Sequence, residues 1–286
     1  VLFADPGVDS AVVVLWGELG RLNVEPEAIV AGAAAGLPAL VGEARRAGFA
    51  GWSFLEAVPG SVGGGLRMNA GSVETGLWDR VRTAETMTRD GEIRRRTAAE
   101  ARPSYRRVEV PAGEVFLGAE FEVRPGDRTS IDAEHFARRR TKVETQVYDL
   151  PSCGSTWTNP PGANVSFSAW QLVERVGMRG ARRGGAQITE RHANFIANLG
   201  DASAADVWWL MAETRRRVLE ETGVALVPEI KLWGFSAEER AAVGYPEVDA
   251  SSHEAATADA DPDASSDPGS DASADADPDA DPEACS

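Results

Sequence analysis

Three short segments carry polar side chains that are suited to binding a carboxylate or moving a proton. Arg106 lies in the run SYRR, and a guanidinium group recognises a carboxylate or a phosphate through paired hydrogen bonds. Ser155 follows a glycine in the run CGSTWTNP, and Glu229 stands directly before an apolar stretch. Taken alone, these residue types are compatible with a carboxylate or phosphate bound at Arg106, with a proton donated by Ser155 and with a Glu229 carboxylate held in a site.

Each of these segments also has a simpler structural interpretation. The run SYRR is compatible with a solvated basic turn, Ser155 with a structural turn, and Glu229 with the water-exposed mouth of a strand. A serine hydrolase is not favoured, because the residues around Ser155 do not form the G-x-S-x-G elbow and the three histidines do not follow in a triad pattern. The residues alone leave these alternatives open.

The stretch from Ala57 to Gly71, AVPGSVGGGLRMNAG, is the most unusual part of the sequence. It holds five glycines and one proline, and apolar residues such as Trp52 and Phe54 flank it, so we expect it to be folded. Glycines let the backbone approach a ligand closely and leave N–H groups uncovered. The spacing matches neither the dinucleotide fingerprint nor the phosphate-binding loop. A ligand cradle and a tight buried turn between two sheets both remain compatible with it.

The charge is distributed unevenly along the chain. The net charge is −16, but from Asp249 onward there are ten Asp, two Glu and no Lys or Arg. The other 248 residues carry 29 basic and 33 acidic side chains, a balance that does not favour nucleic-acid binding. Because residues 240–286 are rich in Asp, Ala, Ser and Pro, we predict that they form a disordered acidic tail.

Cysteine and histidine are scarce. Two cysteines and three scattered histidines predict neither a disulfide framework nor a metal site. The sequence contains no recognisable signal peptide and no apolar run long enough to span a membrane. We therefore expect a cytoplasmic protein that does not bind a membrane.

Hydrophobic periodicity predicts an α+β fold. Apolar runs between turn residues predict strands at 11–16, 28–31, 81–88, 92–96, 115–123, 194–198 and 229–233. Helical spacing predicts helices at 37–48, 134–142, 168–176 and 201–223.

Five separated motifs, taken in order, make this sequence resemble the UDP-N-acetylenolpyruvoylglucosamine reductases, the MurB family of peptidoglycan synthesis. They are VPGSVGG at 58–64 with NAG at 69–71, YR at 105–106, GSTWTNP at 154–160, HANFIAN at 192–198 and PE at 228–229. The resemblance covers roughly residues 1–235.

This resemblance implies a fold and a reaction. The fold would be a vanillyl-alcohol-oxidase-like (VAO/PCMH-type) FAD-binding domain at 1–130, followed by a small α+β substrate-binding domain at 131–239. NADPH would reduce FAD, and the reduced flavin would give hydride to the enolpyruvyl double bond of UDP-N-acetylenolpyruvoylglucosamine, producing UDP-N-acetylmuramate. Only 48 residues separate Arg106 from Ser155, which indicates the subtype without a tyrosine-bearing loop between them.

Roles for individual residues follow from the same resemblance. Ser155 would be the proton donor, and Arg106 and Glu229 would polarise the substrate carboxylate and stabilise the enolate-like intermediate. Tyr105 and Asn159 would bind the substrate, Asn159 at the pyrophosphate. The flavin would be lined by Pro59, Gly60, Ser61, Val62, Gly63, Gly64, Asn69 and Gly71.

The sequence departs from the family pattern at several positions. Thr158 replaces a lysine, which removes a positive charge near the diphosphate, while Val108 replaces a serine and Val147 a proline. The family's first FAD-binding subdomain, with its pyrophosphate loop, has no counterpart here, and we expect it upstream of Val1.

Two other functions are weighed against the reductase. One is a truncated or diverged paralog that binds a nucleotide sugar without redox activity. The other is a flavin oxidase acting on another substrate, which the set of Ser155, Arg106 and Glu229 disfavours. In each case we expect a monomer.

Overall fold

Two antiparallel sheets and one short parallel pair of strands form the β-structure of residues 1–161 and 167–245, the part that the computed structural model describes. The strands are β1 (Leu2–Phe3), β2 (Leu22–Val24), β3 (Ala28–Gly32), β4 (Val81–Met87), β5 (Ile93–Arg96), β6 (Val115–Glu122), β7 (Ser152–Ser155), β8 (Arg182–Arg183), β9 (Ala186–Ile188), β10 (Phe195–Asn198) and β11 (Leu232–Trp233). The α-helices are α1 (Leu37–Arg46), α2 (Val62–Met68), α3 (Ala98–Ala101), α4 (Arg128–Thr145), α5 (Ala169–Arg175), α6 (Ala204–Thr222) and α7 (Ala237–Ala242). The mixture confirms the predicted α+β class.

The first sheet has the strand order β2-β3-β6-β4-β5, and every neighbouring pair is antiparallel. The strands predicted at 81–88 and 92–96 are confirmed as β4 and β5, which pair as an antiparallel hairpin. Helix α1 turns its apolar stripe, which includes Leu40, onto the core of this sheet. Trp52, Leu66 and Phe121 are fully buried in the same core. This first core therefore holds both the sheet and the glycine-rich stretch.

The second sheet has the strand order β7-β10-β9-β8 and packs with α5 and α6 around a separate core. The predicted longest helix is confirmed as α6. Its first turn is capped by the Ser203 hydroxyl, which accepts a hydrogen bond from the Asp206 N–H at 3.0 Å. The helix ends at Gly223, whose φ of 72° lies in the left-handed region that glycine adopts without strain.

Strand β1 pairs in parallel with β11, so that Leu2 lies beside Leu232 and Phe3 beside Trp233. The two aromatic rings meet edge to face at 5.2 Å. Asp5 follows the strand, and its carboxylate accepts hydrogen bonds from the first N–H groups of α6 at 2.7 and 3.0 Å. The first residues of the chain thus belong structurally to the second core.

Some predicted elements differ from the structure. The strand predicted at 11–16 is wrong: the segment forms no ladder with any described residue, and Val13 and Trp16 are more than 80% exposed. An apolar run becomes a strand only where a partner satisfies its N–H and C=O groups. The last strand is shorter than predicted because only Leu232 and Trp233 pair. Helix α4 begins earlier, at Arg128, because the Asp127 carboxylate accepts the Ser130 N–H at 2.8 Å.

The C-terminal boundary also differs from the prediction. The tail was expected to begin at residue 240, but α7 continues to Ala242 and the Tyr245 N–H donates to the carbonyl of Arg240. The predicted disorder from residue 246 onward lies outside the described residues. Within residues 1–161 and 167–245, no helix has both the length and the apolar composition required to cross a membrane.

Candidate active site

Arg106 and Glu229 form an ion pair between the two cores. The Nε of Arg106 donates to Oε1 of Glu229 at 2.7 Å, and its Nη2 donates to the carbonyl of Gly71 at 2.9 Å. Both side chains are about four-fifths buried, with 18% and 20% of their surfaces exposed. Two nitrogens of the guanidinium are therefore held in place while the rest of the group remains partly accessible.

Arg106 lies at the tip of a tight turn. The N–H of Ser104 donates to the carbonyl of Arg107 at 2.9 Å, and the N–H of Arg107 donates back to Ser104 at 3.2 Å. The φ of Arg106 is +57°, a left-handed conformation that a non-glycine residue adopts at an energetic cost. Surrounding contacts must maintain this conformation, which is common where a functional side chain is held in one orientation.

Ser155 ends β7, and it is paired with Phe195 of β10. Directly after it, the carbonyl of Thr156 accepts the N–H of Glu229 at 2.8 Å, and Trp157 pairs with Pro228. The structure therefore places Ser155 one residue away from the strand contact that positions Glu229. Both residues lie in motifs of the sequence, but no local pattern predicts that their two segments pair.

The side chain of Asn194 fastens the segment that follows Ser155. Its Oδ1 accepts the Trp157 N–H at 2.9 Å, and its Nδ2 donates to the Trp157 carbonyl at 2.8 Å. Asn194 is buried, so these bonds are shielded from water. The motif HANFIAN does not predict this role, because only the fold brings residue 194 to residue 157.

Tyr105 and Asn159, the predicted substrate-binding residues, lie close to each other. The ring of Tyr105 lies against the guanidinium of Arg106 at 5.0 Å. Burial raises the pKa of the Tyr105 hydroxyl, and the Glu229 carboxylate raises it further, while Arg106 and hydrogen bonding with Asn159 lower it. Asn159 also accepts the N–H of Ala169 at 2.9 Å, so part of its side chain is used at the start of α5.

The glycine-rich stretch contains helix α2, which sequence analysis did not predict. Ser61 caps this helix by accepting the Gly64 N–H at 3.2 Å. A side chain added at Gly63 or Gly65 would press on neighbours: its Cβ would lie 3.0 Å from Ala33 or from Leu77. At Gly64 an added Cβ would meet only the Ser61 hydroxyl, at 3.5 Å. The helix therefore packs its glycine backbone on one side and leaves Gly64 open on the other.

A cavity of about 500 Å³ lies beside this open face of α2. Ser61, Gly63 and Gly64 contribute to its lining, together with Ala33–Ala34, Val13–Leu15, Arg67 and Glu114–Phe116. Arg106, Ser155 and Glu229 do not line it. A second cavity, of about 570 Å³, lies along α4 and contains none of the predicted site residues.

The residues predicted to line the flavin thus fall into separate places. Ser61, Gly63 and Gly64 lie at the cavity, and Val62 is fully buried in the first core. Asn69 and Gly71 lie instead beside the turn that carries Arg106. The Asn69 side chain and the Gly71 carbonyl both form hydrogen bonds with this turn. The remaining two, Pro59 and Gly60, are exposed before α2.

Lys142 is a half-buried cation near the ion pair that sequence analysis did not select. The pKa of its ammonium is lowered from 10.5 to about 8, chiefly by burial and further by the charges of Arg138 and Arg106, while Glu56 opposes the shift. The sequence held one signal for it, since Lys142 and Lys231 are the only lysines in the chain. Among the described residues, no group of three or more His, Cys, Asp or Glu side chains is arranged to hold a metal.

Comparisons with known proteins find a matching family profile, similar sequences and a similar structure. A family profile described as UDP-N-acetylenolpyruvoylglucosamine reductase, C-terminal domain, matches residues 146–233. The UDP-N-acetylenolpyruvoylglucosamine reductase of Alkalilimnicola ehrlichii is 40% identical over 82% of this chain and 77% of its own length. The protein of the same name from Paramagnetospirillum magneticum is 41% identical over 82% and 75%.

A solved structure is similar over the same range. The crystal structure of UDP-N-acetylenolpyruvylglucosamine reductase (MurB) from Thermus caldophilus superposes with a TM-score of 0.71 at 32% sequence identity, covering 80% of each chain. The two relatives are about 40% identical to this chain over about three quarters of their own length, and the solved structure has a similar fold. The chain therefore belongs to the UDP-N-acetylenolpyruvoylglucosamine reductase family of oxidoreductases.

Proposed function

We propose that this protein reduces UDP-N-acetylenolpyruvoylglucosamine to UDP-N-acetylmuramate with FAD and NADPH, in the cytoplasm, as a step of peptidoglycan precursor synthesis. The observation that carries the proposal is the buried pair of Arg106 and Glu229, joined by strand contacts to the segment of Ser155. A fixed guanidinium, a neighbouring carboxylate and a hydroxyl on the adjoining segment are groups that suit the reduction of an enolpyruvyl ether.

The residues beside α2 fit a flavin. Gly64 presents backbone with space in front of it, and an added Cβ would fill that space without touching anything but the Ser61 hydroxyl. The cavity there is partly apolar, with Ala33 and Phe116 in its wall, which suits the face of a ring system. Ser61, Gly63 and Gly64 would hold the group. When bound, it would supply to the substrate the hydride received from NADPH.

The protein's own residues account for the rest of the reaction. Hydride addition to one carbon of the double bond leaves negative charge that extends into the substrate carboxylate. Arg106 is held in place to stabilise this charge, and Glu229 orients Arg106 through its 2.7 Å hydrogen bond. Ser155 would give its hydroxyl proton to the other carbon, so that one O–H bond breaks, one C–H bond forms, and water restores the proton.

We place the flavin in the residues 1–130 and the nucleotide sugar in the residues 131–239. Two separate hydrophobic cores, one around β3 and β6 and the other around β9 and α6, support this division, except that Leu2 and Ala4 pack with the second core. The site residues come from both sides of it, with Arg106 from the first part and Ser155 and Glu229 from the second. Tyr105 and Asn159, which lie together, would bind the sugar nucleotide across the boundary.

The absorbance spectrum of the flavin, recorded after each addition of NADPH and substrate, tests the proposed function. The purified chain is incubated with FAD, freed of excess, and given NADPH and then UDP-N-acetylenolpyruvoylglucosamine. We expect a bound flavin band that NADPH bleaches and the enolpyruvyl substrate restores, with UDP-N-acetylmuramate detected by mass spectrometry. A protein that binds the sugar nucleotide in calorimetry but neither retains a flavin nor oxidises NADPH, even in a form extended upstream of Val1, would instead be the nucleotide-sugar-binding paralog.

A further inference from the structure

The left-handed conformation of Arg106 requires support from outside its own turn. A four-residue turn with a positive φ at its third position favours glycine there, and arginine takes that place with strain. The two backbone bonds between Ser104 and Arg107 close the turn but do not fix its direction relative to Glu229. A further group must hold the turn against the rest of the protein.

The side chain of Asn69 provides that support. Its Nδ2 donates to the carbonyl of Ser104 at 3.0 Å, at the base of the turn, and its Oδ1 accepts the N–H of Trp78 at 3.1 Å. In the opposite orientation the amide nitrogen would face the Trp78 N–H and the amide oxygen would face the Ser104 carbonyl, so neither bond could form. The hydrogen-bonding network therefore fixes the orientation of the amide. Asn69 is only 9% exposed, and both ends of its amide have partners.

The backbone around Asn69 is shaped for this contact. Asn69 ends α2 with a φ of 43°, a conformation that asparagine tolerates better than most residues. Gly76 passes so close that a Cβ there would lie 2.2 Å from the Asn69 Oδ1. The same stretch holds the arginine from its other end, because the Gly71 carbonyl accepts the Nη2 of Arg106 at 2.9 Å.

We propose that Asn69 is a positioning residue that fixes the turn of Arg106, so that the guanidinium meets the substrate carboxylate in one orientation. This role rests on the proposed function, and it differs from the flavin contact that resemblance suggested for this side chain. Helix α2 then serves two purposes. Its Gly64 face borders the proposed flavin cavity. Asn69, at its C-terminal end, links the helix to the turn of Arg106 through the bond to Ser104.

The substitution Asn69→Asp separates the two roles. Aspartate keeps the shape, the tolerance for positive φ and the acceptor for Trp78, but it places an oxygen where Nδ2 donated to Ser104. We expect kcat to fall about tenfold while KM and the FAD dissociation constant change by less than about twofold. An unchanged kcat overturns the proposal, and so does a loss of FAD affinity that accounts for the lower rate.

A matched control is Asn198→Asp, the same chemical change at an asparagine whose side chain bonds only as an acceptor among the described residues. Its Oδ1 receives the N–H groups of Gly200 and Ala202 at 2.8 and 3.1 Å, which aspartate can also do. We expect the kinetics of this variant to match those of the wild type. A fall equal to that of Asn69→Asp would show a general effect of the added charge and overturn the assignment.

A double-mutant cycle tests whether Asn69 acts through Arg106. In an Arg106→Lys background the guanidinium is already lost, so Asn69→Asp should lower kcat by much less than it does in the wild type. Additive losses would mean that Asn69 acts on its own and would overturn the positioning role.

One readout does not depend on activity. The NMR signal of the Arg106 Nε–H, assigned by its loss in Arg106→Lys, reports the bond to Glu229. We expect it to shift or broaden in Asn69→Asp and to stay unchanged in Asn198→Asp. If the wild type fails to oxidise NADPH, only the proposed function falls, whereas an undisturbed Nε–H signal in Asn69→Asp overturns the positioning role in any case.

Discussion

The Nε of Arg106 donates a 2.7 Å hydrogen bond to Oε1 of Glu229, although the two residues are 123 positions apart in the chain. Both side chains are mostly buried, so the charge of each is balanced chiefly by the other. Removing one charge from such a pair leaves its partner poorly solvated. This relationship makes Glu229 a sensitive position for catalysis.

The variant Glu229→Gln is expected to lower kcat by about 10- to 100-fold, because an amide neither balances the guanidinium nor holds it in one orientation. Steady-state kinetics with the enolpyruvyl substrate measure the effect. The control Glu109→Gln breaks an exposed pair with Arg102 and should leave kcat unchanged. Wild-type kcat in Glu229→Gln would contradict a role for this pair.

The variant Ser155→Ala removes the proposed proton donor. We expect NADPH to reduce the bound flavin at the normal rate, while reoxidation by the enolpyruvyl substrate slows by about 10²- to 10⁴-fold. Stopped-flow absorbance follows the two half-reactions separately. Ser152→Ala on the same strand loses only a 3.3 Å bond from the Gly154 N–H and should keep both rates. Equal slowing of both half-reactions in Ser155→Ala would argue against proton donation.

The adjacent glycines of α2 should respond differently to alanine. In Gly65→Ala the new Cβ presses on Leu77 and Leu37 at 3.0–3.1 Å, so we expect a loss of about 1–3 kcal/mol in stability of the flavin-free protein. In Gly64→Ala the methyl group enters the cavity instead. We expect unchanged or slightly higher stability but FAD affinity weakened about tenfold.

Chemical denaturation without FAD and a flavin titration give the two quantities. If Gly64→Ala binds FAD as tightly as the wild type does, the flavin does not occupy the space in front of this residue. If Gly65→Ala is as stable as the wild type, the leucine side chains can move aside.

The burial of Lys142 predicts a pH-dependent stability. Its pKa is about 8 in the folded protein and 10.5 without burial, so between these values the unfolded chain binds more protons and stability rises with pH. Lys142→Met should therefore be more stable than the wild type at pH 7, by on the order of 1 kcal/mol after allowance for solvent access. This advantage should shrink as the pH rises from about 8 and vanish above 10.5.

Urea denaturation of both proteins across that pH range measures the difference. The control Lys142→Arg keeps a charge that does not titrate there, so its stability relative to Lys142→Met should stay constant with pH. An advantage of Lys142→Met that persisted unchanged above pH 10.5 would contradict the assignment to the ammonium group.

The motif residues were easier to predict than the contacts that organise them. Arg106, Ser155 and Glu229 could be proposed as site residues because each lies in a motif of the family resemblance. Their juxtaposition depends on the pairing of Trp157 with Pro228 and on the Asn194 amide, which join residues far apart in the chain. No local pattern encodes such pairings, since they follow from how the sheets fold.

Local propensity was misleading in two places. Three consecutive glycines oppose a helix by propensity, yet α2 forms because Gly63 and Gly65 let it approach Ala33 and Leu77 closely. The apolar run at 11–16 favours a strand by propensity, yet it has no partner among the described residues. In both places tertiary contacts, or their absence, decided the outcome.

The pairing of β1 with β11 has a consequence for how the chain folds during synthesis. Leu2 and Phe3 are synthesised long before Leu232–Trp233, the strand that receives their hydrogen bonds. The Asp5 carboxylate likewise receives its hydrogen bond only after the start of α6 has been synthesised. Contacts of such long sequence separation form late and slow folding. The second core should therefore close only after synthesis has passed Trp233, whereas the sheet of β2 to β6 can assemble while the chain is still growing.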